Sequence, residues 1–524
     1  MTVQHEPART ELSGIRTLWA QVPGDARGFL VFGVGQRDLP PELTGLHHLV
    51  EHLVMRRVGR VATEHNASSS PDSMVFYAAG CDEDVSDFLR RVGDAVAGLA
   101  TVTEEEVAAE RATIVTEIGA EGVYATADGF SHRWGPTGLG AIDLGHAALP
   151  ALTAADVHAF AAHWLTTGNA RLVFSTRPPE GLSAAVPPGP VPARTPEPAP
   201  LPGPTPAFAV GTGETLGLSF LVDAPVQRRQ LAATVLEEAM TRRLRLERGL
   251  VYAVELVALW TGPESAHWSL MLDPQDTAVD ETVLLARQVL ADLVAHGPDQ
   301  ELLDHARATL RARLRSTDTA LTALITTAEN ELRGWPTPTT ADLLAALEIG
   351  TADQVREVLG GIAGTLLLVV PGRVGLLPET EEALEGLGLT PRPGLSHYRG
   401  MSTKEIRADL VTDGNPDGPG SLFDVRTSIH RGKFWSPWRG IDLAIGRNQL
   451  VLIDIAARIR VEDIALVGRD DDGAWEVVTW QGGVVSIVTG GFRGAQKPWD
   501  RFVAGLPDRV IRHKTGFPAR PAAD

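Results

Sequence analysis

The stretch His48-Leu49-Val50-Glu51-His52 combines two imidazoles and a carboxylate at a spacing that suits metal chemistry. On an α-helix, residues four apart lie on one face, so His48 and His52 can bind one metal ion while Glu51 stands beside it. A zinc ion lowers the pKa of its bound water, and a neighbouring carboxylate can take the proton as that water attacks a peptide carbonyl. The stretch therefore predicts metal-assisted hydrolysis with Glu51 as the general base.

A third ligand is needed, and the segment from Glu110 to Glu117 is the candidate for it. Apolar residues at helical spacing predict a second helix here, with Glu110 and Glu117 two turns apart on one face. The first motif alone is only moderately specific, since about 0.03 matches to HxxEH are expected by chance in this chain. The nearby acids Glu104 to Glu106 are better interpreted as solvated helix carboxylates.

Taken together, these motifs resemble those of the M16 metallopeptidases, the pitrilysin and insulinase-like inverzincins. In that family HxxEH is followed after about 60 to 75 residues by ERxxxxxE, and here His52 and Glu117 are 65 positions apart. The resemblance implies that His48, His52 and Glu117 bind Zn²⁺ and that Glu51 activates the water. Glu110 matches the family's second acid, which would orient a ligand without binding the metal.

Two further segments agree with this resemblance, with less specificity. Residues His65–Ser69, followed by Ser73–Tyr77, are similar to the family's edge strand, along which an extended peptide can lie as an added strand. The segment Gly135–Gly140 lacks the Lys-Ser or Lys-Thr that follows a phosphate-binding loop. It is interpreted as the family's glycine-containing loop, and an ordinary flexible loop without a catalytic role is the favoured alternative.

The second half of the chain contains Leu244–Val254, which resembles the family stretch LREKRGLAYSV. The resemblance implies that Arg245 and Tyr252 reach across the interdomain cavity, where a guanidinium and a phenol can stabilise the developing oxyanion. Arg248 is the alternative for the positively charged role. Without the resemblance, each arginine would be interpreted as a solvated helix charge, and Tyr252 as a packed residue with a surface hydroxyl.

The length of 524 residues suggests about three domains, and composition marks the joints between them. Ten of the twenty residues from Pro187 to Pro206 are proline, which predicts an extended connector. We expect an α+β protein with two tandem M16-type α/β-sandwich domains, forming half of a clamshell, and a small β-rich C-terminal domain that resembles a pleckstrin-homology barrel. The predicted ranges are 10–185 for the catalytic domain, 186–206 for the Pro-rich linker, 207–375 for the second M16-like domain, 376–420 for another linker and 421–515 for the C-terminal domain.

The sequence also predicts individual elements. Apolar residues at helical spacing predict helices at Ala154–Trp164, Arg228–Arg245 and Val279–His296. In the C-terminal part, a polar stretch rich in Gly, Pro and Asp at Asp409–Gly420 precedes short strand-like runs that include Arg458–Val467. The tryptophans of this part are interpreted as core or interface residues, namely Trp435, Trp438, Trp475, Trp480 and Trp499.

Charge and cysteine content limit the classes of partner and compartment. The formal charge of −19 disfavours binding to nucleic acid or to anionic membranes. The single Cys81 cannot form an internal disulfide and is expected to be a small buried thiol. The polar stretch Met1–Arg16 lacks the apolar region of a secretory signal, and no apolar run reaches membrane-spanning length. These features predict a cytoplasmic protein.

Three functions from different classes remain open. The first is a zinc endopeptidase or oligopeptidase, including a dedicated protease that removes a leader from one peptide product. The second is a noncatalytic or partner-dependent subunit, and the third is a binding module that depends on the C-terminal domain. Active M16 enzymes enclose a peptide substrate in a chamber of four domains. The resemblance therefore implies a homodimer, or a heterodimer with a second M16-type chain.

Overall fold

The computed structural model describes residues 7–122, 129–194, 197–211, 215–371, 375–392, 404, 428–434, 439–453, 457–469, 475–480, 484–507 and 510–513. Within these ranges the chain is a mixed α+β protein with two six-stranded sheets and two four-stranded sheets. The predicted segment Asp409–Gly420 and the tryptophans Trp435 and Trp438 lie outside the described residues.

The first sheet has the strand order β1-β2-β6-β3-β5-β4, with β2 and β6 parallel and its other neighbouring pairs antiparallel. Its strands are β1 Ala8–Leu12, β2 Ile15–Trp19, β3 Ala26–Phe32, β4 Glu64–Ser69, β5 Met74–Gly80 and β6 Ala170–Phe174. The helices of this part are α1 Leu46–Val58, α2 Asp82–Gly98, α3 Glu104–Gly122, α4 Phe130–Trp134 and α5 Ala154–Trp164. Strand β4 forms one edge of the sheet, as the sequence predicts for the segment that follows the HxxEH helix.

The second sheet has the order β12-β7-β11-β8-β10-β9. Its strands are β7 Ala207–Val210, β8 Leu216–Asp223, β9 Val251–Trp260, β10 Ser265–Pro274, β11 Leu367–Val370 and β12 Thr390–Pro391. The helices of this part of the chain are α6 Val226–Met240, α7 Val279–His296, α8 Gln300–Leu314, α9 Thr317–Arg333, α10 Thr340–Ile349, α11 Ala352–Ala363 and α12 Pro378–Gly386. A π-helical segment, Thr241–Glu247, continues α6.

Two short sheets and a helix form the C-terminal part. One sheet joins β13 Ser428–Arg431, β14 Asp442–Ile445, β15 Gln449–Leu452 and β16 Ala457–Arg460 in sequence order. The other has the order β19-β18-β17-β20 and contains β17 Ile464–Arg469, β18 Trp475–Thr479, β19 Val484–Ile487 and β20 Ile511–His513. Helix α13, Gln496–Ala504, buries Trp499 and Phe502 in a core shared with both sheets.

Helix α1 forms because its apolar residues recur at helical spacing. Leu46, Leu49, Val50 and Leu53 are fully buried in the core beside the first sheet. Gly45 precedes the helix with φ +88°, and Gly59 follows it with φ +71°. Both φ values lie in the left-handed region that favours glycine. Packing of this apolar face holds the helix in one orientation. The polar residues of the HxxEH stretch occupy the remaining positions of the helix.

The first and second parts of the chain are joined by buried polar contacts as well as by packing. Arg133 donates from Nε to Ser219 Oγ (2.8 Å) and from Nη2 to the Thr365 carbonyl (2.7 Å). Trp134 Nε1 donates to His267 Nδ1 at 2.7 Å. Helix α9 also packs against the first sheet, where Leu324 belongs to the same cluster as residues of β2 and β3.

Two local expectations need adjustment, and the proline-rich segment makes a contact that the sequence does not predict. Cys81 is exposed, and the prediction of a buried thiol is wrong, because Cys81 precedes α2 and its Sγ–H donates to Asp84 at 3.1 Å. The segment Gly135–Gly140 is not an ordinary flexible loop, since it leads into the buried 3₁₀ helix Gly138–Leu144. The proline-rich segment lies against the first part of the chain through Arg194 Nη1, which donates to Asp38 at 2.8 Å.

Candidate metal centre

Helix α1 brings the two histidines of the motif onto one face. The Nε2 atoms of His48 and His52 are 3.2 Å apart. Glu117, on α3, brings Oε2 to within 3.0 Å of His52 Nε2 and Oε1 to within 3.9 Å of His48 Nε2. The three side chains predicted as ligands are therefore adjacent, and one donor atom of each lies within 4.8 Å of the others.

This donor set fits a zinc ion. Two neutral imidazoles and one carboxylate, with a fourth position open, form a common set of ligands for catalytic zinc. Tetrahedral ligands about 2.0–2.1 Å from a zinc ion are separated from one another by about 3.3 Å, and the observed separations run from 3.0 to 3.9 Å. The Glu117 side chain is 55% exposed, so solvent reaches this member of the donor set.

Helix α3 places Glu117 by packing Val107 and Ile114 into the core that also holds α1. At the helix start, Thr103 Oγ1 accepts from the Glu106 N–H (3.3 Å), and Glu106 Oε2 accepts from the Thr103 N–H (2.9 Å). This reciprocal pair satisfies backbone donors that would otherwise lack partners at the helix N-terminus. The register of α3 is thereby fixed at one end by a cap and along its length by packing.

Glu110 lies behind His52, as expected for the second acid of the pattern. Its Oε2 is 3.4 Å from His52 Nδ1, and its Oε1 accepts from Arg56 at 2.5 Å. The carboxylate is buried and the guanidinium that balances its charge is half-exposed. Glu110 is thus placed to hold the His52 ring with Nε2 directed at the metal position.

Glu51 is close to the metal ligands and largely buried. Its exposed fraction is 9%. Burial raises the pKa of the Glu51 carboxyl above its usual range, and hydrogen bonds from Ser69, at the end of β4, oppose that shift. A raised pKa makes a carboxylate a stronger proton acceptor, so the environment of Glu51 suits a general base.

His146 contacts the ligand set but does not appear in any of the sequence patterns. Its Nε2 is 2.8 Å from His48 Nδ1, the ring nitrogen of His48 that faces away from Glu117. Burial, with the neighbouring His146 and His52, lowers the pKa of His48 to about 4, and burial lowers the pKa of His47 to about 3. Both rings are therefore neutral near pH 7, the form in which His48 can bind a metal.

Arg245 and Tyr252 lie together near the start of β9, an edge strand of the second sheet. Arg245 is in the π-helical segment, and its guanidinium carbon is 5.4 Å from the centroid of the Tyr252 ring. Tyr252 is the second residue of β9 and is 78% exposed. Arg248, the alternative, forms an ion pair with Glu281 on α7. Among the described residues, neither Arg245 nor Tyr252 forms a hydrogen bond or ion pair with the His48, His52 and Glu117 set.

Comparison with known proteins agrees with this architecture. Residues 151–310 match the family model described as the Peptidase M16 inactive domain. The matched range starts after the metal centre and includes Arg245 and Tyr252. No curated protein matches the chain.

Solved structures of similar fold include a peptidase M16 inactive domain from Pseudomonas fluorescens, at 16% identity and TM-score 0.57, covering 70% of this chain and 97% of that one. The fold is M16-like. The first half of the periplasmic protease PqqL from Escherichia coli aligns at 13% identity and TM-score 0.54, covering 75% of this chain and 99% of that one. The ferredoxin protease FusC, solved as a mutant with Arabidopsis ferredoxin, aligns at 14% identity and TM-score 0.52, with 86% of this chain and 56% of that chain covered.

No helix among the described residues is both long enough and apolar enough to cross a membrane.

Proposed function

We propose that this chain is a zinc-dependent peptidase that hydrolyses peptides. The observation that carries the proposal is the convergence of His48, His52 and Glu117, with donor atoms 3.0 to 3.9 Å apart, beside the buried carboxylate of Glu51. The matched family model and the M16-like structural neighbours support a relation to the M16 peptidases. When bound, zinc would polarise the peptide carbonyl and acidify a water.

The protein's own residues supply the remaining chemistry. Glu51 accepts the proton of the attacking water and passes it to the leaving amine. Glu110 holds the His52 ring, while strand β4 offers the edge of the first sheet to an extended peptide. Arg245 and Tyr252 donate to the developing oxyanion when the halves of the chamber close.

We also propose that a second M16-type half, either another copy of this chain or a related chain, completes the chamber. This chain covers 99% of the first half of PqqL but 56% of FusC, so it corresponds in length to about half of the larger protease. Arg245 and Tyr252 are exposed and form no hydrogen bond or ion pair with His48, His52 or Glu117 among the described residues, which fits a site that is completed by closure. Sedimentation should show a dimer, and a monomer that cleaves peptides at the full rate would contradict this part of the proposal.

A noncatalytic subunit is the second candidate. The description of the matched family model as an inactive domain favours it. The donors of the metal centre precede the matched residues 151–310, so that description does not extend to them. In the proposed peptidase, the matched range supplies the wall of the chamber opposite the metal.

Purified wild type and Glu51→Gln should be compared for metal content and for hydrolysis of a quenched peptide library. We expect about one zinc per chain in both proteins and activity only in the wild type, because Gln keeps the shape of Glu51 but cannot accept a proton. The loss should reach about 10² to 10⁴-fold. Glu105→Gln, an exposed acid on α3, is the matched control and should behave as wild type. Absence of zinc from both proteins would favour the noncatalytic subunit.

A further inference from the structure

We infer that His146 is a positioning residue for the metal ligand His48, an inference that rests on the proposed zinc site. The contact between His146 Nε2 and His48 Nδ1 is 2.8 Å, within the range of a hydrogen bond. His48 Nε2 faces His52 and Glu117 on the other side of the same ring. His146 thus acts on the ring nitrogen that is not available to the metal.

Metal binding determines the direction of this hydrogen bond. A histidine binds a metal through a nitrogen that carries no proton, so His48 must keep its Nε2 lone pair free and carry its proton on Nδ1. Nδ1–H then donates to His146 Nε2, which must be an acceptor. The opposite arrangement, with His146 donating, would place the His48 proton on Nε2 and block the metal position. An acceptor at residue 146 therefore selects the tautomer of His48 that can bind zinc.

The backbone around His146 is held by residues that precede α1, so the acceptor has a fixed location. Gln36 Nε2 donates to the Gly145 carbonyl at 2.8 Å, and the Ala148 N–H donates to Thr44 Oγ1 at 3.1 Å. Gly45, the residue before α1, lies so close that a Cβ placed there would be 3.1 Å from His146 Cδ2. These contacts tie the His146 segment to the residues immediately before the helix that carries both metal-binding histidines.

The two histidines of the motif are supported from opposite sides by different groups. His52 Nδ1 faces the Glu110 carboxylate at 3.4 Å, whereas His48 Nδ1 faces the imidazole of His146 at 2.8 Å. His146 Nε2 is directed at the outer nitrogen of His48, and the two ring nitrogens of an imidazole point in nearly opposite directions. His146 is therefore placed to orient a ligand and not to serve as a fourth ligand of the same ion.

Zinc affinity, measured by competition with a chromophoric chelator, tests the inference. His146→Leu removes the acceptor at similar volume, and His146→Gln restores an acceptor oxygen. We expect His146→Leu to bind zinc about 10 to 100-fold more weakly, and His146→Gln to recover most of that loss. His163→Leu, which replaces an exposed histidine on α5, should retain wild-type affinity. Absorption spectra of the Co²⁺-loaded proteins should change for His146→Leu and return toward wild type for His146→Gln.

The outcomes separate this inference from the proposed function. A wild type that binds no zinc contradicts the proposed function itself. A wild type that binds zinc, with His146→Leu equal to it in affinity and Co²⁺ spectrum, overturns the inference alone. Complete loss of metal in both His146 variants, with circular dichroism unchanged, would make His146 a direct ligand and also overturn it. If His146→Leu fails to fold, His146→Ala and His146→Gln provide the same comparison.

Discussion

At the scale of single residues, both histidines of the proposed metal site contact a partner through their second ring nitrogens. Glu110 lies behind His52 and His146 behind His48, at 3.4 Å and 2.8 Å respectively. Such partners fix the orientation of each ring before a metal ion binds. Less side-chain conformational entropy is therefore lost on binding. Glu51 differs from the proposed ligands because it is buried and accepts hydrogen bonds from Ser69.

Tyr252→Phe tests the role proposed for the exposed pair on the second sheet. The substitution removes one hydroxyl from a side chain that is 78% exposed, so folding and zinc content should not change. If the hydroxyl donates to the oxyanion, kcat should fall by about 10² to 10³-fold with a smaller change in KM. Steady-state kinetics on a cleaved library peptide measures this.

Phe434→Leu, which changes an exposed aromatic residue in the C-terminal part, is the control for Tyr252→Phe and should leave kcat unaltered. Unchanged kinetics in Tyr252→Phe would remove the tyrosine from the mechanism. The role of Arg245, which lies 5.4 Å from the same ring, would then need to be tested separately.

At the scale of secondary structure elements, strong periodicity allows accurate prediction. The helices expected at Ala154–Trp164 and Val279–His296 have those bounds in the structure. The helix expected at Arg228–Arg245 instead changes to π-helical geometry after Met240. The single run expected at Arg458–Val467 contains two strands separated by a 3₁₀ turn. Backbone geometry of this kind depends on tertiary packing, which the local pattern of side chains does not specify.

The metal centre shows the same division between local and tertiary information. His48, Glu51 and His52 are four residues apart or fewer, so helical geometry alone places them together. Glu117 lies on another helix, and the sequence predicts it as a ligand only because it belongs to a motif of known spacing. His146 is 98 residues from His48 and belongs to no motif, so only the folded chain brings the two rings together. A histidine after a glycine-rich segment gives no sequence signal that distinguishes it from a surface histidine.

Gly45→Ala should affect zinc binding through the element that carries the ligands. Gly45 has φ +88°, and a Cβ there would be 3.1 Å from His146. We expect a loss of about 1 to 3 kcal/mol in unfolding free energy from backbone strain, together with weaker zinc binding because His146 is displaced. Denaturant unfolding and chelator competition measure the two effects.

Gly59→Ala is the matched control at the other end of α1. It has φ +71°, and nothing lies within 4 Å of a Cβ there. It should therefore show a similar loss of stability with unaltered zinc affinity. Equal zinc affinities in Gly45→Ala and Gly59→Ala would show that helix strain alone, and not the contact with His146, governs the response.

At the scale of the whole molecule, residues 129–149 contact all three parts of the chain. Arg133 and Trp134 make buried hydrogen bonds to the second sheet. Leu144 is fully buried in a cluster with Leu466 and Val478 of the C-terminal part. His146 follows two residues later and contacts His48. The C-terminal part therefore packs directly against the segment that contains His146, which gives it a structural link to the proposed metal site.

Leu466→Ala should weaken zinc binding because it removes packing from Leu144. Truncating a buried leucine costs about 2 to 5 kcal/mol of stability, so the comparison requires Leu450→Ala as a control. Leu450 is equally buried in the C-terminal core, but it lies on β15 and does not belong to the Leu144 cluster. We expect zinc affinity to fall in Leu466→Ala and to stay at the wild-type value in Leu450→Ala, measured where both proteins are folded.

Combining Leu466→Ala with His146→Leu distinguishes a specific link from general loosening of the fold. If Leu466 acts on zinc through His146, the double variant should bind zinc no more weakly than His146→Leu alone, because the contact to be supported is already absent. If the losses of zinc affinity in the two single variants add fully in the double variant, Leu466 affects the site by another route. If Leu466→Ala and Leu450→Ala lose equal zinc affinity, the C-terminal part contributes only to overall stability. Non-additivity confined to Leu466 would identify its packing on Leu144 as a support for the metal centre.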